Sequence, residues 1–159
     1  MQVGKHSAVT QCFAKVGLTA GTTTTYTTGV ATDFVINGVF GTQFATKTNQ
    51  ATPTTDVNTG AAFTALAANE GAVYVFGTDS SGAVKVAGSK SYALDSSGEF
   101  KVRPQFPPIP ETMCPFGYFV ILNGSTGSAW TLGSSNWTAT GITDTTTNCA
   151  VLPNRPVAS

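Results

Sequence analysis

Five prolines, Pro104, Pro107, Pro108, Pro110 and Pro115, fall between a short alternating stretch and the most apolar run of the chain. Proline fixes φ, removes a backbone donor and drives the preceding residue toward extended backbone. Residues 104–115 therefore read as neither helix nor central strand. They predict a stiff extended crossing, with Phe106, Ile109 and Met113 as its apolar contacts. Phe100–Arg103 alternates apolar and polar side chains and predicts a strand leading into it. Phe116-Gly-Tyr-Phe-Val-Ile-Leu122 follows the last proline. Its length and β-rich content predict a strand buried on both faces, at the centre of a sandwich or barrel. A rigid crossing that feeds such a strand carries a chain between packed sheets.

Other segments point the same way. Asn37-Gly38 between Phe34–Ile36 and Val39–Phe40 predicts a tight hairpin, because both turn residues must adopt positive φ. An Asp-Ser-Ser-Gly turn occurs twice, at 79–82 and 95–98, each between short alternating segments. The Asp side chain caps such a turn and the Gly supplies positive φ, so residues 72–103 predict a meander. Residues 9–16 are compatible with helix or strand. Leu18–Thr32 is rich in Thr and Gly and reads as an edge strand or extended arm. Residues 45–60 predict a long surface loop, and Ala61–Ala68 one or two helical turns. The expected organisation is an N-terminal arm and edge strand over 1–32 and a β-sandwich domain over 33–159, within one domain overall.

Charge excludes several function classes. Charged residues make up only 10% of the 159 residues and the net charge is zero. A nucleic-acid footprint needs clustered Lys and Arg, and a polybasic membrane surface needs the same. Neither partner is expected. No apolar run approaches the roughly 20 residues of a membrane helix, and the start of the chain shows no apolar leader core. Low charge favours association over a free monomeric life. Cys12, Cys114 and Cys149 are far apart, odd in number and without a CxxC pair. They read as buried free thiols of a protein made in a reducing cytosol, with a disulfide as the alternative.

Catalytic patterns are sparse. His6 is the only histidine, so nucleophile–histidine arrangements and zinc sites are not expected. No phosphate-binding glycine loop is present. The carboxylates are scattered and read as turn caps and surface charges. Two of them would have to meet in a cleft for glycoside hydrolysis. Asp79 and Asp95 lack the spaced oxygen donors of a calcium loop. Trp130 and Trp137 read as core residues, with sugar stacking as the alternative. No cofactor, metal or catalytic residue is expected.

Five motifs stand in a telling order: Thr52-Pro-Thr-Thr-Asp56, Phe76-Gly-Thr-Asp-Ser-Ser-Gly82, Pro104-Gln-Phe-Pro-Pro-Ile-Pro110, Gly133-Ser-Ser-Asn-Trp137 through Gly141, and Leu152-Pro-Asn-Arg-Pro156. Over residues 33–156 the chain resembles small virion structural proteins of tailed bacteriophages, of the capsid decoration or cement type. That resemblance implies an all-β fold, a jelly-roll-like β-sandwich or barrel with long loops and extended terminal arms and at most one short helix. It implies synthesis in the bacterial host cytoplasm and a place on the outer capsid surface. The implied partner is the major capsid protein, and the implied assembly is a homotrimer, or else a dimer. The expected interface residues are Phe106, Pro107, Ile109, Pro110, Thr52, Pro53, Asp56, Trp137, Pro153 and Arg155. A tail- or fibre-associated virion protein, or a carbohydrate-binding β-sandwich module, is the alternative.

Overall fold

The computed structural model describes residues 9–156. The fold is all-β, with antiparallel pairing throughout. The strands in chain order are β1 (Gln11–Cys12), β2 (Leu18–Ala20), β3 (Thr25–Thr28), β4 (Phe34–Ile36), β5 (Val39–Phe40), β6 (Lys47–Ala51), β7 (Glu70–Thr78), β8 (Val84–Gly88), β9 (Tyr92–Ala93), β10 (Cys114–Asn123) and β11 (Ile142–Asn148). They form a main sheet of order β11-β10-β7-β8, with β9 also on β7, and two small sheets, β2-β3-β6 and β1-β4-β5. These antiparallel sheets are compatible with a β-sandwich.

The apolar run predicted as a doubly buried strand is the heart of β10, and its partner is β7. Their register runs from Cys114↔Thr78 to Asn123↔Glu70. Period-two alternation sends side chains to opposite faces. Ala72, Tyr74 and Phe76 join Phe119 and Ile121 in the larger core, while Val73 and Val75 join Tyr118 and Val120 in a smaller one. A bulge between Pro115 and Gly117 resets the phase. Pro115 is tolerated because pairing with β11 begins only at Gly117.

Different material covers each face. The larger core is closed by the small sheets, through Leu18, Tyr26 and Phe34, and by Phe63, Leu66, Trp130, Leu132 and Trp137. The smaller core is closed by irregular chain: Val57, Phe106, Ile109 and Leu152 pack on it. The proline crossing is thus a strap across the sheet. Phe106 meets Tyr118 edge-on, with ring centroids 4.9 Å apart.

One side chain joins two sheets. Asn148, at the end of β11, accepts from the Leu18 amide and donates to the Leu18 carbonyl at 3.0 Å. A carboxamide here does the work of a strand residue, splicing β2 to the rim of the main sheet.

The predicted turns form as expected. Asn37 and Gly38 have φ of 51° and 77°. Asp79 Oδ1 accepts from the amides of Ser81 and Ala83, and Asp95 Oδ1 from those of Ser97 and Glu99. Gly82 and Gly98 take φ of 84° and 82°.

Four segments depart from expectation. Phe100–Arg103 is not a strand: only Phe100 pairs, in a single bridge to Leu94, and Val102 is exposed. Its neighbour, β9, is only two residues long, so pairing ends at that bridge and the Lys101 N to Ala93 O bond of 3.1 Å. Ala61–Ala68 is extended, not helical, with bridges Thr55↔Ala62 and Leu66↔Trp130. Burial of Phe63 and Leu66 overrides the weak helix propensity of so short a segment. Within the expected 45–60 loop, Lys47–Ala51 is a strand on β3. It is polar on both faces, so no apolar alternation betrays it. Leu18–Thr28 is a hairpin with β3 in the middle of its sheet, rather than one edge strand or an arm.

Two predictions follow from this packing. Asn148→Ala leaves the Leu18 amide and carbonyl unpaired, and the expected loss of stability is about 1–3 kcal/mol, measured by denaturant unfolding. Burial pushes the Tyr26 phenol up to about 12 and moves Tyr74 further in the same direction. Both phenols ionise near 10 when unfolded, so their contribution is complete below about pH 10 and is lost as pH rises toward 12. The part of the tyrosinate absorbance that Tyr26→Phe and Tyr74→Phe remove should rise with pH together with unfolding, not before it.

Candidate functional site

Two hollows adjoin at Asn37 and Glu111 on the outside of the β4–β5 hairpin. One, of about 280 Å³, is lined by Ile109, Pro110, Met113, Pro115, Val151 and Leu152 among others. The other, of about 180 Å³, is lined by Ile36, Val39, Phe40, Ser80 and Thr112. Asn37 Nδ2 donates to the Glu111 carbonyl at 3.2 Å, which ties the hairpin to the end of the strap where the hollows meet. Together they make a mainly apolar groove running from the C-terminal tail to the hairpin.

Its hairpin end is unusually exposed. Val39 and Phe40 are 69% and 70% exposed on a two-residue strand whose outer edge has no partner among the described residues. Phe13 stacks on Phe40 with centroids 5.8 Å apart and planes 13° from parallel, yet keeps 52% of its surface in solvent. Val9 accepts a hydrogen bond from the Gly38 amide and is 53% exposed. Large apolar side chains left in contact with water at an open sheet edge form the kind of patch found at interaction sites. None of these four residues was expected as a site. The hairpin was legible from Asn37-Gly38, but no signal in a two-residue strand says which side faces water.

The expected interface residues divide. Ile109 and Pro110 line the groove, and Pro153 and Arg155 are exposed on the tail beyond Leu152. Phe106 and Ile109 are half-buried against the smaller core, and Pro107 is buried. Asp56 bonds the amide of Asn58, whose Nδ2 donates to the Pro108 carbonyl at 2.9 Å, so the 52–58 segment is bound to the strap. Pro53 and Asp56 are half-buried, and Thr52 is buried. Trp137 is a core residue at 4% exposure, as is Trp130 at 1%. Both indole N–H groups are satisfied by backbone, at Thr25 O and Asn136 O respectively. The core reading of both tryptophans holds.

Electrostatics add little. Asp79 is held below the usual carboxylate range: burial works against this, but hydrogen bonds from Ser81 and Ala83 and the Lys85 ammonium outweigh it. That carboxylate caps its own turn. A further hollow of about 500 Å³ lies between residues 56–66 and the β8–β9 connection. Asp56 is its only carboxylate and Lys90 its only ammonium, beside Phe63 and Tyr74. No group of three or more His, Cys, Asp or Glu side chains suited to a metal occurs among the described residues. All three cysteines are buried and free, as expected.

Comparison with protein-family models, with curated proteins and with solved structures finds no match to this chain.

The strap and the hairpin separate by mutation. Phe106→Ser removes a ring packed on Tyr118 and should cost about 2–3 kcal/mol in denaturant unfolding. Phe40→Ser removes an exposed ring and should stay within about 0.5 kcal/mol of the parent. Equal losses in the two variants would show that Phe40 is structural.

Proposed function

We propose that the protein is a non-enzymatic component of a phage head. It is a decoration protein that sits on the outer capsid surface and holds neighbouring major capsid protein subunits together. The observation that carries this reading is the exposed apolar groove with Val39 and Phe40 at its open end and Phe13 stacked on Phe40. A charge-poor protein with a net charge of zero has little to repel a second neutral surface. The motif order that resembles phage cement proteins supplies the identity of the partner. Self-assembly as a trimer, or else a dimer, belongs to the same proposal, with each oligomer seated where capsid subunits meet. A sugar-binding module is less well supported, because the indoles of Trp130 and Trp137 are occupied in the core.

Binding to emptied, expanded shells of the cognate phage tests this. The expected result is saturable, multi-copy occupancy that changes little between about 50 mM and about 500 mM salt, because few charges are available to be screened. Val39→Ser with Phe40→Ser should weaken occupancy roughly tenfold or more while the protein still folds. Absence of shell binding, or binding that collapses with salt, would overturn the proposal.

A further inference from the structure

We infer that Cys12 and Cys114 are a disulfide-forming pair, which a small-molecule disulfide such as oxidised glutathione closes into a clamp between the first strand and the central strand. Their sulfurs lie 3.4 Å apart, at non-bonded contact, although the residues are 102 positions apart in sequence. Both side chains are buried in the same core, at 2% and 0% exposure. The third thiol does not compete from the same place. Cys149 packs with the smaller core, near enough for its charge to be felt at Cys114, but only Cys12 and Cys114 have their sulfurs in contact. A long-range pair of thiols at contact is poised for a bond that closes a very large loop.

The chemistry balances with that oxidant. The Cys12 thiolate attacks one sulfur of oxidised glutathione and expels one glutathione thiolate, leaving a mixed disulfide at Cys12. The Cys114 sulfur, losing its proton, then attacks Cys12 Sγ and expels the second. The two thiol protons end on the two departing glutathiones, so one protein disulfide forms as one glutathione disulfide is reduced. The order follows from the shared hydrogen bond. The hydrogen bond between the two sulfurs lowers the Cys12 pKa against the opposing effect of burial and raises that of Cys114, so Cys12 ionises first. Access requires opening of β1, which has two residues, pairs only with β4 and ties to the tail through Cys12 N to Ala150 O at 3.1 Å. Such a short peripheral strand opens at a small fraction of the cost of global unfolding. Nothing in this inference depends on the capsid proposal.

The test uses the full chain, purified reduced and incubated natively with oxidised glutathione, then alkylated and peptide-mapped without reduction. The expected product is a Cys12–Cys114 linked peptide with Cys149 alkylated, and a melting temperature raised on the order of 10 °C. Cys149→Ser should leave both results intact. Cys114→Ala should abolish both, and Cys12→Ser serves equally if Cys114→Ala does not fold. A linked peptide containing Cys149, or alkylation of both Cys12 and Cys114 after oxidation, would overturn the pairing. A Cys12–Cys114 bond with no rise in melting temperature would overturn the clamp.

Discussion

The pairing of β7 with β10 is the constraint on which the rest of the molecule depends. These are the two longest strands, and they share a register from Cys114↔Thr78 to Asn123↔Glu70. Both faces of the pair are apolar, so neither face can be left to water. Each fully buried large side chain there contributes roughly 1.5–3 kcal/mol. One sheet with two apolar faces needs two covers. The chain is short of regular elements for the second, so it lays prolines over it. Proline suits that task because an extended strap with few free donors leaves few buried backbone groups unpaired.

The aromatic side chains show how the larger core is locked. Phe119 sits 5.3 Å from Phe76 and 4.7 Å from Trp137, and Trp137 sits 5.6 Å from Trp130. This chain of rings links β7, β10 and the 130–137 segment. Tyr26 against Phe76 extends it into the β2-β3-β6 sheet. The β1-β4-β5 sheet is joined more lightly, with Phe34 buried but β5 standing in water. Stability therefore falls from the centre toward the hairpin. The proposed docking surface lies at the low end of that gradient, where a partner's contacts would add most.

What could be read from the sequence tracks how local the cause is. The Asn37-Gly38 turn and the two Asp-Ser-Ser-Gly turns depend on a few adjacent residues, and they were legible. So was β10, whose apolar run has no other use. Phe100–Arg103 was misread because whether a strand forms depends on the length of the neighbouring strand, which no local pattern reports. The strand Lys47–Ala51 was hidden because its pairing is backbone alone. The site was half legible. Ile109 and Pro110, read as part of a stiff crossing, do line the groove, and Phe106 packs on Tyr118 as an apolar contact of that crossing. Phe13 and Phe40 were invisible as surface residues, since only the tertiary arrangement stacks them and leaves them uncovered. The contact of Cys12 with Cys114 was equally out of reach, because spacing in sequence says nothing about a meeting across 102 positions.

Native-state hydrogen exchange tests the central claim most directly, that β7 and β10 hold the molecule together and that the hairpin hangs from them. The amides of Val73, Val75 and Tyr118–Ile121 should exchange slowest, and only through global unfolding. Those of the β4–β5 hairpin should exchange much faster, through a local opening that leaves the main sheet intact. Exchange of the β7 and β10 amides through local openings, or hairpin amides as slow as theirs, would contradict the account.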